Sequence, residues 1–150
     1  TLPYPNYSKS VLTFIAGGPM LPIAFLLSKI LKTNWKVKDN PLQPLGLWLN
    51  FAQLFYFPIL VFVLIRQPEY FVMTYIIITG AHFFPYAWYY NVKSFAVMAG
   101  VISFGSMMVA LYVSPEQLYL IPVCMVCSLI ILAVWLYGSY KRNLLRYKLY

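Results

Sequence analysis

The sequence predicts an all-α fold, a polytopic bundle of transmembrane helices with five spans in the chain, and three observations carry that reading. Of 150 residues, 62% are hydrophobic and only 9% charged, against roughly 45–50% and about 25% in soluble domains. Five stretches are apolar enough, and close enough to the about 20 residues required, to cross ~30 Å of hydrocarbon as helices. The charged residues collect at the ends of those stretches. A soluble globule of 17.4 kDa could not hide so much apolar surface, and a mean hydropathy of +0.73 points the same way. A soluble enzyme, a disordered tail and a disulfide scaffold are thereby excluded.

The spans fall over residues 11–31, 44–65, 70–90, 94–113 and 117–138, in one domain that ends in a basic tail over 139–150. The first contains Gly17-Gly18-Pro19 and then Pro22. Proline withdraws a backbone donor, so a kink or unwound turn is expected between Gly17 and Pro22, with its freed groups facing protein. Broken helices line substrate sites in many transporters, and tight packing explains such a break equally well. Asp39-Asn40-Pro41 closes the longest loop, and the second span then carries Asn50 and Gln53 one turn apart on one face.

Gln67-Pro68-Glu69 separates the second and third spans. The third ends in Thr79-Gly80-Ala81-His82-Phe83-Phe84-Pro85-Tyr86-Ala87-Trp88-Tyr89-Tyr90, whose last rings suit an interfacial belt. Ala96, Gly100, Ser103, Ser106 and Ala110 give the fourth span a small-residue stripe for close helix contact. Ser114-Pro115-Glu116-Gln117 has the pattern of a helix start, with Ser as N-cap and Pro at the first position. Cys124 and Cys127 lie within the fifth span, where they are expected to be small buried hydrophobes rather than a redox pair.

Nine of the eleven Lys and Arg residues fall on one side of this threading; Lys9 and Arg66 alone fall on the other. Bases accumulate in cytoplasmic loops, so the chain is expected in the cell (inner) membrane, with the C-terminus cytoplasmic and residue 1 outside. Delivering Thr1 outside takes a cleaved signal or an upstream span, and the second is the expectation, for six spans in all. The net charge of +8 is then a membrane signature rather than a nucleic-acid one. Lys141, Arg142, Arg146 and Lys148 are expected to touch anionic lipid headgroups, each contributing about 1 kcal/mol.

Catalysis is hard to assemble from these residues. Asp39, Glu69 and Glu116 are the only carboxylates, and Asp39 lies on the opposite side from the other two. No metal-ligand set, phosphate-binding glycine loop or cofactor motif is present, so no metal, cofactor or catalytic residue is expected. A membrane-embedded Ser–His hydrolase using His82 with Ser103 or Ser106 remains a remote alternative. His82 is the informative residue, because an ionisable group within a span is a functional-site hypothesis by default. It lies ~12 Å below the end of its helix, and Asn50 and Gln53 fall at ~10–14 Å on the same count. His82, Asn50, Gln53, Thr79 and Tyr86 therefore form the candidate ligand site, with Pro85 as a kink beside it. Neutral His, Asn and Gln also satisfy one another without any ligand, so an interhelical hydrogen-bond cluster stands as the alternative.

Three stretches carry a resemblance: Met20-Leu21-Pro22-Ile23-Ala24-Phe25-Leu26-Leu27-Ser28-Lys29, Lys38-Asp39-Asn40-Pro41-Leu42 and Gly80-Ala81-His82-Phe83-Phe84-Pro85. Together they resemble a family of small bacterial multi-pass membrane proteins known only as a domain of unknown function. The resemblance implies a further hydrophobic segment upstream and no particular activity. Two classes of function follow. One is a transporter or a small-molecule or lipid-binding protein with its site at His82. The other is a non-catalytic interaction subunit whose polar groups hold helices together. The bilayer and its anionic headgroups are the expected partners, with a small-molecule ligand in the first class and no nucleic acid; oligomeric state is left open.

Overall fold

A computed structural model describes residues 5–30 and 41–147, and among them every regular element is helical. The helices are α1 (Asn6–Gly17), α2 (Met20–Ile30), α3 (Gln43–Ala52), α4 (Phe57–Arg66), α5 (Phe71–His82), α6 (Phe84–Tyr89), α7 (Ser94–Tyr112) and α8 (Leu120–Tyr147). Four stretches are long and apolar enough to cross a membrane: Tyr7–Ile30, Pro44–Arg66, Ser94–Tyr112 and Leu120–Arg142. The expected span over 70–90 is not one continuous helix. Pro85 supplies no donor for the Ala81 carbonyl, and the chain tightens there through Phe83 N–H to Gly80 O (3.0 Å) and Tyr86 N–H to Phe83 O (3.1 Å).

Proline explains the other interruptions by one rule. A proline at position i leaves the carbonyl at i−4 without its helical donor, and hydrocarbon offers no water to replace it. The preceding N–H turns to that carbonyl instead. Gly18 N–H bonds Ile15 O (3.2 Å) before Pro19, and Ile121 N–H bonds Leu118 O (3.1 Å) before Pro122. Phe57 N–H bonds Leu54 O before Pro58, which closes the 3-10 turn Gln53–Tyr56 between α3 and α4. The same effect corrects the expected start of the last helix. Ser114 precedes a 3-10 turn over Pro115–Gln117 and makes no side-chain cap; α8 begins only at Leu120.

The core lies where α5, α7 and α8 meet, around Ile76, Ile102 and Ile121. On α7 the buried residues are Ser94, Met98, Ala99, Ile102 and Ser106, a four-residue spacing that puts them along one face. This face is offset from the expected stripe: a Cβ on Gly100 would meet nothing within 4 Å. The close approach is made by α5 instead. A Cβ on Gly80 would fall 2.6 Å from Ile102 Cγ2 and 2.9 Å from Ser103 Oγ. That proximity lets Ser103 Oγ donate to Ile77 O at 3.2 Å.

The first span docks by its first half. Ser10, buried, donates through Oγ to Pro68 O (2.9 Å). Phe14 sets its ring edge-on to Phe57 and Phe71, and Gly17 packs against the Tyr75 hydroxyl. Beyond the Gly18–Pro19 turn, residues 22–30 are exposed apart from half-buried Ser28. Cys124 and Cys127 are exposed rather than buried, because they line an open cavity between α8 and α7 rather than the packed core.

Candidate functional site

Side chains from α3 and α6 meet at the carbonyl of Gly46, and α5 joins them through Asn50. Asn50 stands one turn further along α3, and its Nδ2 donates back to Gly46 O at 2.9 Å. Tyr86 on α6 reaches the same oxygen with its hydroxyl at 3.4 Å. Gly46 also packs closely against α6, where a Cβ at residue 46 would sit 2.9 Å from the Tyr89 hydroxyl. His82, one turn before Tyr86, places Nε2 3.4 Å from Asn50 Oδ1, with its ring edge-on to Tyr86 at 5.1 Å. Tyr86 in turn stacks with Tyr90 and meets Tyr89 edge-on, so an aromatic wall closes the α6 side.

These bonds fix the tautomer of His82. The Asn50 amide nitrogen is committed to Gly46, so Oδ1 is the acceptor and the imidazole donates Nε2–H. Nδ1 is then a lone-pair acceptor, and it has no hydrogen-bond partner among the described residues. His82 is half-buried and Asn50 exposed, so the pair is reachable from the side of the bundle. The arrangement can receive a hydroxyl or amide donor from a ligand. The Ser103 hydroxyl donates to Ile77 O rather than to His82.

The other candidate residues fall as follows. Gln53, half-buried, makes no side-chain hydrogen bond to the described residues. Thr79 turns inward on its own helix, donating to Tyr75 O at 2.8 Å. At the first-span break Gly17 faces α5, whereas Gly18, Pro19 and Pro22 are exposed. Lys141 lies 5.4 Å over the Tyr137 ring, and Arg142 Nη2 donates to Ser139 Oγ at 3.3 Å. The Arg146 side chain and Lys148 lie outside the described residues.

Sequence reasoning missed two features. Lys9 of α1, with Glu69 and Glu116 from two separate turns, lines one cavity of about 840 Å³ together with Val72, Met73 and Ile121. Charge sorting put all three on one side, but no pattern in the chain says that the turns converge. Asn91 has φ 53°, and the Trp88–Tyr90 aromatic run gave no sign of the tight turn that follows it.

The class of protein is thus an all-α bundle whose helices are mostly long and apolar enough to cross a membrane. Residues 1–139 match the model of a family of unknown function, DUF7010, and the chain belongs to that family. No curated protein and no solved structure matches it.

Proposed function

We propose that this chain is a bacterial multi-pass protein of the inner membrane that binds a small molecule or lipid through His82 and Asn50. The observation that carries the reading is Nδ1 of the half-buried His82 imidazole at the end of α5, which has no hydrogen-bond partner among the described residues. A polar atom without a partner in hydrocarbon costs several kcal/mol, so such an atom persists where a ligand donor or water meets it. Tyr86 and Gly46 hold Asn50 and His82 in place, which keeps the ligand from having to organise them. The nine bases against two favour an orientation with Lys93 and Lys141 on the cytoplasmic side.

A second reading, an interaction subunit, draws on α2, whose apolar side chains Ile23, Leu26 and Ile30 are all exposed. Native mass spectrometry of the protein extracted in mild detergent separates the two. Under the binding reading, wild-type protein retains a small adduct that His82→Phe loses while still inserting and purifying. If His82→Phe retains every adduct and only melts earlier, the cluster is helix glue and the binding reading fails.

A further inference from the structure

A second site emerges at the base-rich end, away from His82. The turn from α6 into α7 is closed by Asn91, and α7 begins at once at Ser94, with Lys93 at its N-cap and no side chain capping it. The first-turn N–H groups of a helix carry partial positive charge and favour anions. Here they do not stand alone. A cavity of about 300 Å³ is lined by Lys93, Ser94, Trp135, Ser139 and Arg142, together with Asn91 and Val92. Ser94 is 1% exposed, and its Oγ has no hydrogen-bond partner among the described residues. Such an orphan costs about 1–3 kcal/mol, and its residue lines a cavity that two cations, Lys93 and Arg142, share. Glu69 and Glu116, the carboxylates among the described residues, line the cavity built around Lys9 instead.

We infer that this cavity binds a phosphate monoanion, and that the phosphate is the headgroup of an anionic phospholipid. Lys93 and Arg142 supply the charge, Arg142 is held by Ser139 Oγ, and the Ser94 hydroxyl becomes a donor to a phosphate oxygen. The source of the phosphate follows from what adjoins the cavity. A second cavity of about 380 Å³ shares Val92 and Ser139 with the first and is otherwise walled by Tyr90, Phe95, Leu136 and Tyr140. Its apolar walls suit an acyl chain, which free phosphate lacks. Trp135 and Tyr140 have the amphipathic rings that sit at headgroup level.

The test uses the full chain in detergent micelles, titrated with phosphatidylglycerol or phosphatidylcholine and read by native mass spectrometry. One phosphatidylglycerol should bind saturably, roughly thirtyfold tighter than phosphatidylcholine, from two bases worth ~1 kcal/mol each. The double variant Lys93→Gln/Arg142→Gln should lose that preference. Ser94→Ala should weaken binding severalfold without lowering thermal stability, since it removes a hydroxyl that the protein itself leaves unpaired. Arg66→Gln, which deletes an exposed charge at the opposite end of the bundle, should change little. Equal retention of the two lipids, or an unchanged double variant, would overturn the inference. Displacement of phosphatidylglycerol by millimolar inorganic phosphate would assign the site to free phosphate and overturn the lipid.

Discussion

Asn91 shows how much one residue decides. Its N–H bonds Trp88 O (3.2 Å) and the next N–H, from Val92, bonds Ala87 O (2.9 Å). This is the Schellman pattern, with Asn91 as the left-handed residue that ends the helix. Asparagine tolerates that conformation, glycine adopts it freely and a β-branched residue resists it. Asn91→Gly should therefore hold or raise the melting temperature in detergent. Asn91→Val should cost about 1–2 kcal/mol, read from the same melts.

At His82 the coupling to Asn50 should be modest. A 3.4 Å contact between neutral groups belongs with membrane hydrogen bonds of about 0.6 kcal/mol. A double-mutant cycle on His82→Phe and Asn50→Leu checks this; coupling above ~2 kcal/mol would mark the pair as the main structural tie. Depth counting from the helix ends was enough to bring Asn50 toward His82. It could not bring in Gly46, because its contribution is a carbonyl, and every residue has one. Nor could it separate Asn50 from Gln53, since both stand at suitable depth and only the packed helices select between them.

At the scale of elements, prolines and glycines do the shaping, and each is legible only in part. Pro19, Pro58, Pro85 and Pro122 mark where helices must tighten, because the missing donor is a local property. Their outcome needed the fold: at Pro19, Pro58 and Pro122 the preceding N–H takes the freed carbonyl, so a break became a tightened turn. Small residues mislead more. Gly80 and Gly100 look alike in sequence, yet only Gly80 faces a neighbour closely. Gly80→Val should force α5 off α7 and cost about 1–3 kcal/mol or more by overpacking. Gly105→Ala, with open space at its Cβ, should be neutral or stabilising by up to ~1 kcal/mol from helix propensity. Parallel melts of the two variants provide the comparison.

For the whole molecule, lipid sets the terms. The Tyr7–Ile30 and Pro44–Arg66 windows are each only 6% buried within the chain, which would be untenable in water and is ordinary when bilayer covers the rest. That constraint is why composition and apolar length expose the architecture so directly, while pairings such as α5 with α7 leave little trace in the sequence. The proposed phosphate cavity depends on one placement, with the Asn91–Ser94 turn on the cytoplasmic side and the Glu69 and Glu116 turns outside. The most direct measurement is cysteine accessibility in a Cys124→Ala/Cys127→Ala background, using a membrane-impermeant maleimide on intact cells. Glu116→Cys should label at once and Lys93→Cys only after the membrane is permeabilised. Labelling of Lys93→Cys from outside, with Glu116→Cys protected, would contradict the orientation and remove the anionic inner leaflet from the phosphate cavity.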